Sequence, residues 1–318
     1  MGILDFLNPL KNRFGFDVDQ HIPDLSSRVI IVTGGNAGVG KESILQFAKH
    51  NPKKLYLCAR SQQKFDTAAA EIREKVPDAK LDFLQLDLAS FASVKQAAEK
   101  VLAENDRLDI LMNNAGIMCA PHGLTTEGYE IHFGTNHMGH ALFTRLLLPL
   151  LESTANQPGS DVRIVIVSSI GHTMASSGIP FEELKSEGSS KHPLRLYGVS
   201  KLANNLHARK LARLHPNILT IAAHPGRTDT SLAQDFKNEG SFSSKLVGLF
   251  DRLVTPLPAE QGALSQLWAA TWQKKDIENG NYYVPVGCSE GASAKSKDEE
   301  LASSLWDWQE AEFKRLGY

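Results

Sequence analysis

Short runs of apolar, largely β-branched residues recur along the chain: RVIIVTG (28–34), KLYLCA (54–59), KLDFLQLD (80–87), LDILMNNA (108–115), VRIVIVSS (162–169), ILTIAAH (218–224) and NYYVPV (281–286). Between them, apolar positions repeat every three or four residues, which predicts helices near 39–50, 61–76, 90–105, 125–152, 195–215 and 258–274. Strands apolar on both sides that alternate with helices predict a parallel sheet covered on both faces, the α/β class. No repeat, low-complexity tract or long linker divides the 318 residues. The pattern therefore predicts one domain over 26–290, preceded by an N-terminal extension (1–25) and followed by a C-terminal helical tail (291–318).

TGGNAGVG (33–40) directly follows the first predicted strand and opens the first helix. In that context glycines permit a tight turn and close backbone approach, and free N–H groups at the helix start attract a pyrophosphate. Gly34, Gly38 and Gly40 are the positions that matter; a plain strand-to-helix turn is the alternative. The second strand ends in CARS, with Arg60 and no carboxylate where a ribose-binding acid would stand. That charge balance favours NADP(H), with NAD(H) kept as an alternative. A solvated loop arginine is the alternative reading of Arg60, and Lys41 reads equally as added positive charge or as an exposed helix lysine.

YGVSK (197–201) places Tyr197 and Lys201 four apart, on one face of a predicted helix. A phenol titrates near 10 and is a poor acid or base at neutral pH, and a neighbouring ammonium lowers it. Alone the pair is weak, because such spacing arises by chance. Its company changes the reading: Ser169 ends a core strand within VSSIGH, NNAG (113–116) ends the fourth strand, and HPGRTDT (224–230) ends the sixth.

These motifs, in this order, make residues 26 to 290 resemble the short-chain dehydrogenase/reductase family. The T-G-x-x-x-G-x-G spacing separates the chain from the extended, epimerase-like branch. CAR, VSSIGH, NHMGH and HPG resemble the branch of retinol dehydrogenases, WW-domain oxidoreductases and many fungal reductases. The resemblance implies a single-domain Rossmann fold with a seven-stranded parallel sheet and helices on both faces. It implies that Tyr197 is the general acid/base, that Lys201 lowers its pKa and holds the nicotinamide ribose, and that Ser169 orients the substrate oxygen. Asn136 would hold a water linking Lys201 to solvent. The cofactor contacts implied are Thr33, Gly34, Asn36, Gly38, Val39, Gly40, Arg60, Asp87, Leu88, Asn114, Ala115, Gly116, Tyr197, Lys201, Pro225, Gly226, Thr228 and Thr230. The activity implied is NADP(H)-dependent interconversion of a carbonyl and an alcohol. A non-catalytic cofactor-binding scaffold of the same fold is the alternative.

Composition narrows the remaining classes. The formal charge is −2, from 34 Lys and Arg against 36 Asp and Glu spread along the chain, so no basic face suits nucleic acid. Three distant cysteines without C-x-x-C spacing read as free thiols in a reducing, cytoplasmic setting. No apolar run reaches the ~18 residues of a spanning helix. The opening stretch carries Ile3, Leu4, Phe6, Leu7, Leu10 and Phe14, which reads as folding over the domain's own apolar surface, or as peripheral membrane docking. Phe6 stands where a myristoylation motif wants Ser or Thr. His122, His132, His137 and His140 match no zinc spacing and read as packing or surface residues, so no metal site is expected. His172 invites a substrate contact, with packing as the alternative. Apolar residues within 231–258 suggest a cover for a lipophilic substrate or a helix packed on the body. The final helix offers Leu305, Trp306, Phe313 and Leu316 for domain closure or for contact in a homodimer or homotetramer.

Overall fold

The computed structural model describes residues 11–226, 228 and 257–318. Its strands are β1 (Val29–Val32), β2 (Lys54–Ala59), β3 (Asp82–Gln85), β4 (Ile110–Asn113), β5 (Arg163–Val167), β6 (Leu219–Ala223) and β7 (Tyr282–Tyr283). They form one sheet in the order β3-β2-β1-β4-β5-β6-β7, and every neighbouring pair is parallel. This is the Rossmann-type α/β fold. Every position of β1, β4, β5 and β6 is buried. The apolar runs lack strict alternation for that reason, since helices cover both faces. Each fully buried Val or Ile contributes roughly 1.5–3 kcal/mol.

The helices are α1 (Gly38–Lys49), α2 (Gln62–Lys75), α3 (Phe91–Glu104), α4 (Gly139–Ala155), α5 (Pro193–Leu214), α6 (Ala259–Thr271) and α7 (Glu299–Arg315). One apolar layer joins α3, α4, α5 and α7 to the sheet, and the other joins α1, α2 and α6. Phe313 of α7 is fully buried and meets Phe91 of α3 at 5.7 Å. Ion pairing of Arg209 with Glu299 and a 3.0 Å hydrogen bond from Lys210 to Ser303 lash α7 to α5. On the other face Phe14 stacks on Trp268 of α6, and the Arg13 amide donates to the Val286 carbonyl. Phe14 thus folds over the domain's own surface, while the opening residues 1–10 lie outside the described residues. No helix among the described residues is long and apolar enough to cross a membrane.

The helix expected from residue 125 begins later. Gly128 turns with φ +83°, and the Glu130 carboxylate accepts the His132 and Phe133 amides, which caps the helix at Ile131. Ile131–Phe133 then runs through a π-helical turn, Gly134–Met138, into α4. Close packing explains the glycines around it: a Cβ on Gly134 would collide with Thr125, and one on Gly139 with the Leu88 carbonyl.

Candidate active site

Parallel strands aim their carboxyl ends at one edge, and the sequence motifs follow those ends. Thr33 and Gly34 succeed β1, Arg60 succeeds β2, Asp87 and Leu88 come just beyond β3, Asn114 to Gly116 succeed β4, Ser169 follows β5, and Pro225, Gly226 and Thr228 follow β6.

The turn after β1 is built for close approach. Gly34 and Gly38 have φ of +64° and +53°, which side-chain-bearing residues rarely adopt. A Cβ on Gly40 would collide with the Gly34 carbonyl and the Asn114 amide. The start of α1 has no side-chain cap and no acidic residue in its first turn. By contrast, Ser61, Ser90 and Asp298 cap α2, α3 and α7. Asn36 and Val39 lie partly buried in the same turn. Free N–H groups and positive dipole at α1 suit a phosphate group, so these residues fit a dinucleotide.

Behind the turn stands a buried network. His140 Nδ1 lies 3.0 Å from the Asn136 carbonyl and Nε2 lies 2.8 Å from Thr33 Oγ1. A carbonyl only accepts, so the network assigns the proton to Nδ1 and makes Thr33 the donor to Nε2. Thr33 Oγ1 meanwhile accepts the Asn114 and Ala115 amides at 2.9 Å each. The Asn114 side chain donates to the Thr33 carbonyl at 2.8 Å and accepts from Gln266 of α6 at 3.1 Å. Gln266 Nε2 also reaches Ser43 Oγ of α1 at 2.7 Å. The Asn114 side chain thus holds the turn, α1 and α6 together. Gln266 escapes sequence reasoning because its partners lie far away along the chain. His140, four residues beyond Asn136, carried a helical-spacing signal that was legible.

Around the tyrosine, Ser169 Oγ accepts the Gly171 amide at 3.0 Å and shares a hydrogen bond with Tyr197. A Cβ on Gly171 would stand 2.9 Å from the Tyr197 ring, so only glycine admits the phenol there. Lys201 is 4% exposed; Nζ donates to the Val167 carbonyl at 2.9 Å and lies 5.7 Å from the Tyr197 ring centroid. A Cβ on Gly116 would fall 3.2 Å from Asn136 Oδ1 and 3.5 Å from Lys201 Nζ, so all three meet at one point. The Asn136 side chain clamps Ile117, accepting its amide at 2.7 Å and donating to its carbonyl at 2.9 Å, and donates to Ser200 at 3.0 Å.

Burial pushes the Tyr197 phenol up to about 12, against the Ser169 hydrogen bond, and pulls the Lys201 ammonium down to about 8. Desolvation penalises both charged forms, so in the chain alone the phenol stands above its ordinary value with Lys201 beside it.

Arg60 is exposed, with its guanidinium free of ion pairs among the described residues. Lys41 instead pairs with Glu71. The Asp87 carboxylate accepts the Ala89 amide at 3.0 Å, and Leu88 is buried against Gly139. Gly226 turns with φ +83°, and the Thr228 methyl packs against Gly262. Thr230 and the apolar stretch 231–256 lie outside the described residues. His172 is fully buried: Nδ1 faces the Ser169 carbonyl at 2.7 Å and Nε2 accepts the Ser293 amide at 3.2 Å, so it braces the Ser169 turn and packs. His132 does have an acidic neighbour, Glu130 at 2.7 Å, in the helix cap. The three cysteines are buried, and none of them is in a disulfide.

A family model described as short chain dehydrogenase matches residues 28–240. A short-chain dehydrogenase/reductase of Armillaria gallica is 37% identical over 296 residues, covering 92% of this chain and 92% of that protein. An uncharacterized protein from Mycobacterium paratuberculosis aligns with a TM-score of 0.70 at 29% identity, over 93% of this chain and 97% of its own. The 3-ketoacyl-(acyl-carrier-protein) reductase from Brucella melitensis, solved with NADH, aligns with a TM-score of 0.62 at 24% identity, over 83% and 98% of the two chains, a likeness of fold. Motifs, sheet order and these matches agree: the chain is an enzyme of the short-chain dehydrogenase/reductase family of oxidoreductases.

Proposed function

We propose that the enzyme uses NADP(H) to interconvert a carbonyl, aldehyde or ketone, and the corresponding alcohol, with Tyr197 as the general acid/base. The observation that carries this reading is the gathering of Ser169, Tyr197 and Lys201 at the sheet edge beside the uncapped start of α1. Thr33 to Gly40, Gly116 and Pro225 to Thr228 would hold the dinucleotide, which supplies the hydride when bound. The unpaired Arg60 supports preference for a 2′-phosphate.

The remaining chemistry belongs to the chain. Ser169 Oγ accepts the Gly171 amide and keeps its own hydrogen, which would turn from the Tyr197 oxygen to the substrate oxygen. A phenol pushed up to about 12 enters protonated, which suits reduction: Tyr197 gives its proton to the oxygen as charge develops there. Lys201, cationic at neutral pH, then stabilises the phenolate. Met174, half exposed on the turn after Ser169, offers an apolar flank and supports a lipophilic substrate.

The test is NADPH and NADH oxidation measured side by side against aldehydes and ketones of increasing chain length. Turnover with NADPH is expected, and binding without turnover across the panel would favour the scaffold instead. Tyr197→Phe should lower kcat at least ~100-fold while NADPH affinity persists. Arg60→Glu should weaken NADPH relative to NADH by roughly 10- to 100-fold, the worth of a hydrogen bond to a charged group; equal loss of both would refute the phosphate assignment.

A further inference from the structure

Ser169 opens a 3-10 turn, Ile170–Met174, and one buried ring holds the back of that turn. The Ser169 carbonyl accepts the His172 backbone amide at 3.1 Å and faces His172 Nδ1 at 2.7 Å. His172 Nε2 faces the Ser293 amide at 3.2 Å. A carbonyl only accepts and an amide N–H only donates, so the two partners place the proton on Nδ1 and the lone pair on Nε2. Burial lowers the ring's pKa, against the Ser169 carbonyl, which raises it, so the ring is neutral at pH 7. It lies edge-on to Tyr282 of β7 at 4.9 Å, and His224, which burial holds down to about 3, faces it from the end of β6.

Both ends of this arrangement are anchored. Ser293 Oγ accepts the Ser296 amide at 3.2 Å and its carbonyl accepts the Ser296 hydroxyl at 2.8 Å, just before Asp298 caps α7. On the opposite side the turn lies against α5. A Cβ on Gly198 would stand 2.8 Å from the Gly171 carbonyl and 3.0 Å from Met174 Cβ, beside the place where Gly171 admits the Tyr197 ring. The serine is thus clamped between the imidazole and the helix that carries the phenol.

We propose that His172 is the positioning residue of Ser169, and that the segment after β7 acts on the site by fixing which nitrogen of the ring carries the proton. The role rests on the reading that Ser169 orients the substrate oxygen. His172 bonds the serine backbone rather than its hydroxyl, and that backbone sets where Oγ points relative to Tyr197. The Ser293 amide excludes the other tautomer, in which Nε2–H would meet a second donor and Nδ1 would turn a lone pair on the Ser169 carbonyl.

Two substitutions separate placement from packing. His172→Asn sets an amide donor where Nδ1 stands and needs no tautomer to be chosen; His172→Gln can reach Ser293 but withdraws the donor from the Ser169 carbonyl. With NADPH and 4-nitrobenzaldehyde, His172→Gln should lower kcat about tenfold at unchanged NADPH affinity, while His172→Asn should stay within about threefold of the parent, short of the ~100-fold that a misplacement of 1 Å can cost. Packing alone predicts the reverse order, because glutamine fills more of the ring's volume. In a Ser169→Ala background, followed by single-turnover NADPH fluorescence, His172→Gln should lower the rate no further. An undiminished loss in that background, or equal kcat in the two single variants, would overturn the proposal. Long-range 1H–15N spectra of the full chain at pH 7 should show Nδ1 protonated and Nε2 bare, whether or not a substrate is known. Full activity in Ser169→Ala would overturn the parent reading and the proposal with it, whereas an Nε2–H ring beside an inactive Ser169→Ala would overturn the proposal alone.

Discussion

Lys201→Met tests the electrostatics of the site through stability. Burial lowers the Lys201 ammonium from about 10.5 to about 8. Two and a half units at ~1.36 kcal/mol each amount to about 3 kcal/mol. Between pH 8 and 10.5 the unfolded chain holds a proton that the folded chain has released, so folding stability rises with pH across that window. Below pH 8 the whole penalty is present. Methionine does not titrate and fits the same space. The Val167 carbonyl keeps the Asn204 donor, so the lost hydrogen bond costs about 1 kcal/mol. At pH 7 the variant should therefore be about 2 kcal/mol more stable than the parent, though inactive. Its advantage should shrink by about 3 kcal/mol on going to pH 10.5, reversing sign. The raised Tyr197 acts oppositely, losing stability from pH 10 to 12, but it is common to both proteins. Urea unfolding at intervals from pH 7 to 10.5 measures the difference. Parallel stability curves would refute the claim that Lys201 is held against its own desolvation.

Two further substitutions probe the scaffold. Gly40→Ala drives a methyl into the Gly34 carbonyl and the Asn114 amide, so it should cost about 1–3 kcal/mol and abolish NADPH binding, read by thermal unfolding and calorimetry. Asp109→Asn breaks a buried cluster in which the carboxylate meets Arg107 at 2.6 Å, Val29 N at 2.9 Å and Arg28 at 3.0 Å, a loss of about 3–5 kcal/mol in urea unfolding at pH 7. Burial pushes that carboxyl up, but Arg107, the Val29 amide and Arg28 more than offset it and hold it low. Its stabilisation is complete above the unfolded pKa near 4 and is lost as pH falls, so the gap from wild type should narrow in acid.

The sheet was legible because its signal is local. β2 spans the apolar run KLYLCA end to end, and the other strands fall inside their runs. Ser169, Tyr197 and Lys201 were legible as spacing, since strand ends and helical faces fix where such residues point. What stayed hidden depends on distance through space. Nothing near Gln266 announces Ser43 or Asn114, and nothing near Asn114 says that its amide is already spent. The late start of the helix at Ile131 depends on the Glu130 carboxylate accepting the His132 and Phe133 amides, a choice that apolar periodicity does not encode. The rise of the Tyr197 phenol needs the volume excluded from water, which only the packed fold supplies.

The last helix has a consequence for biosynthesis. Phe313 fills the layer beside Phe91, although it comes after all seven strands along the chain. A ribosome that has not yet made α7 leaves that socket empty, so this layer closes only after every described strand of the sheet has been made. A premature stop within α7 would leave the nascent sheet with an unsealed flank and hand it to the quality-control machinery.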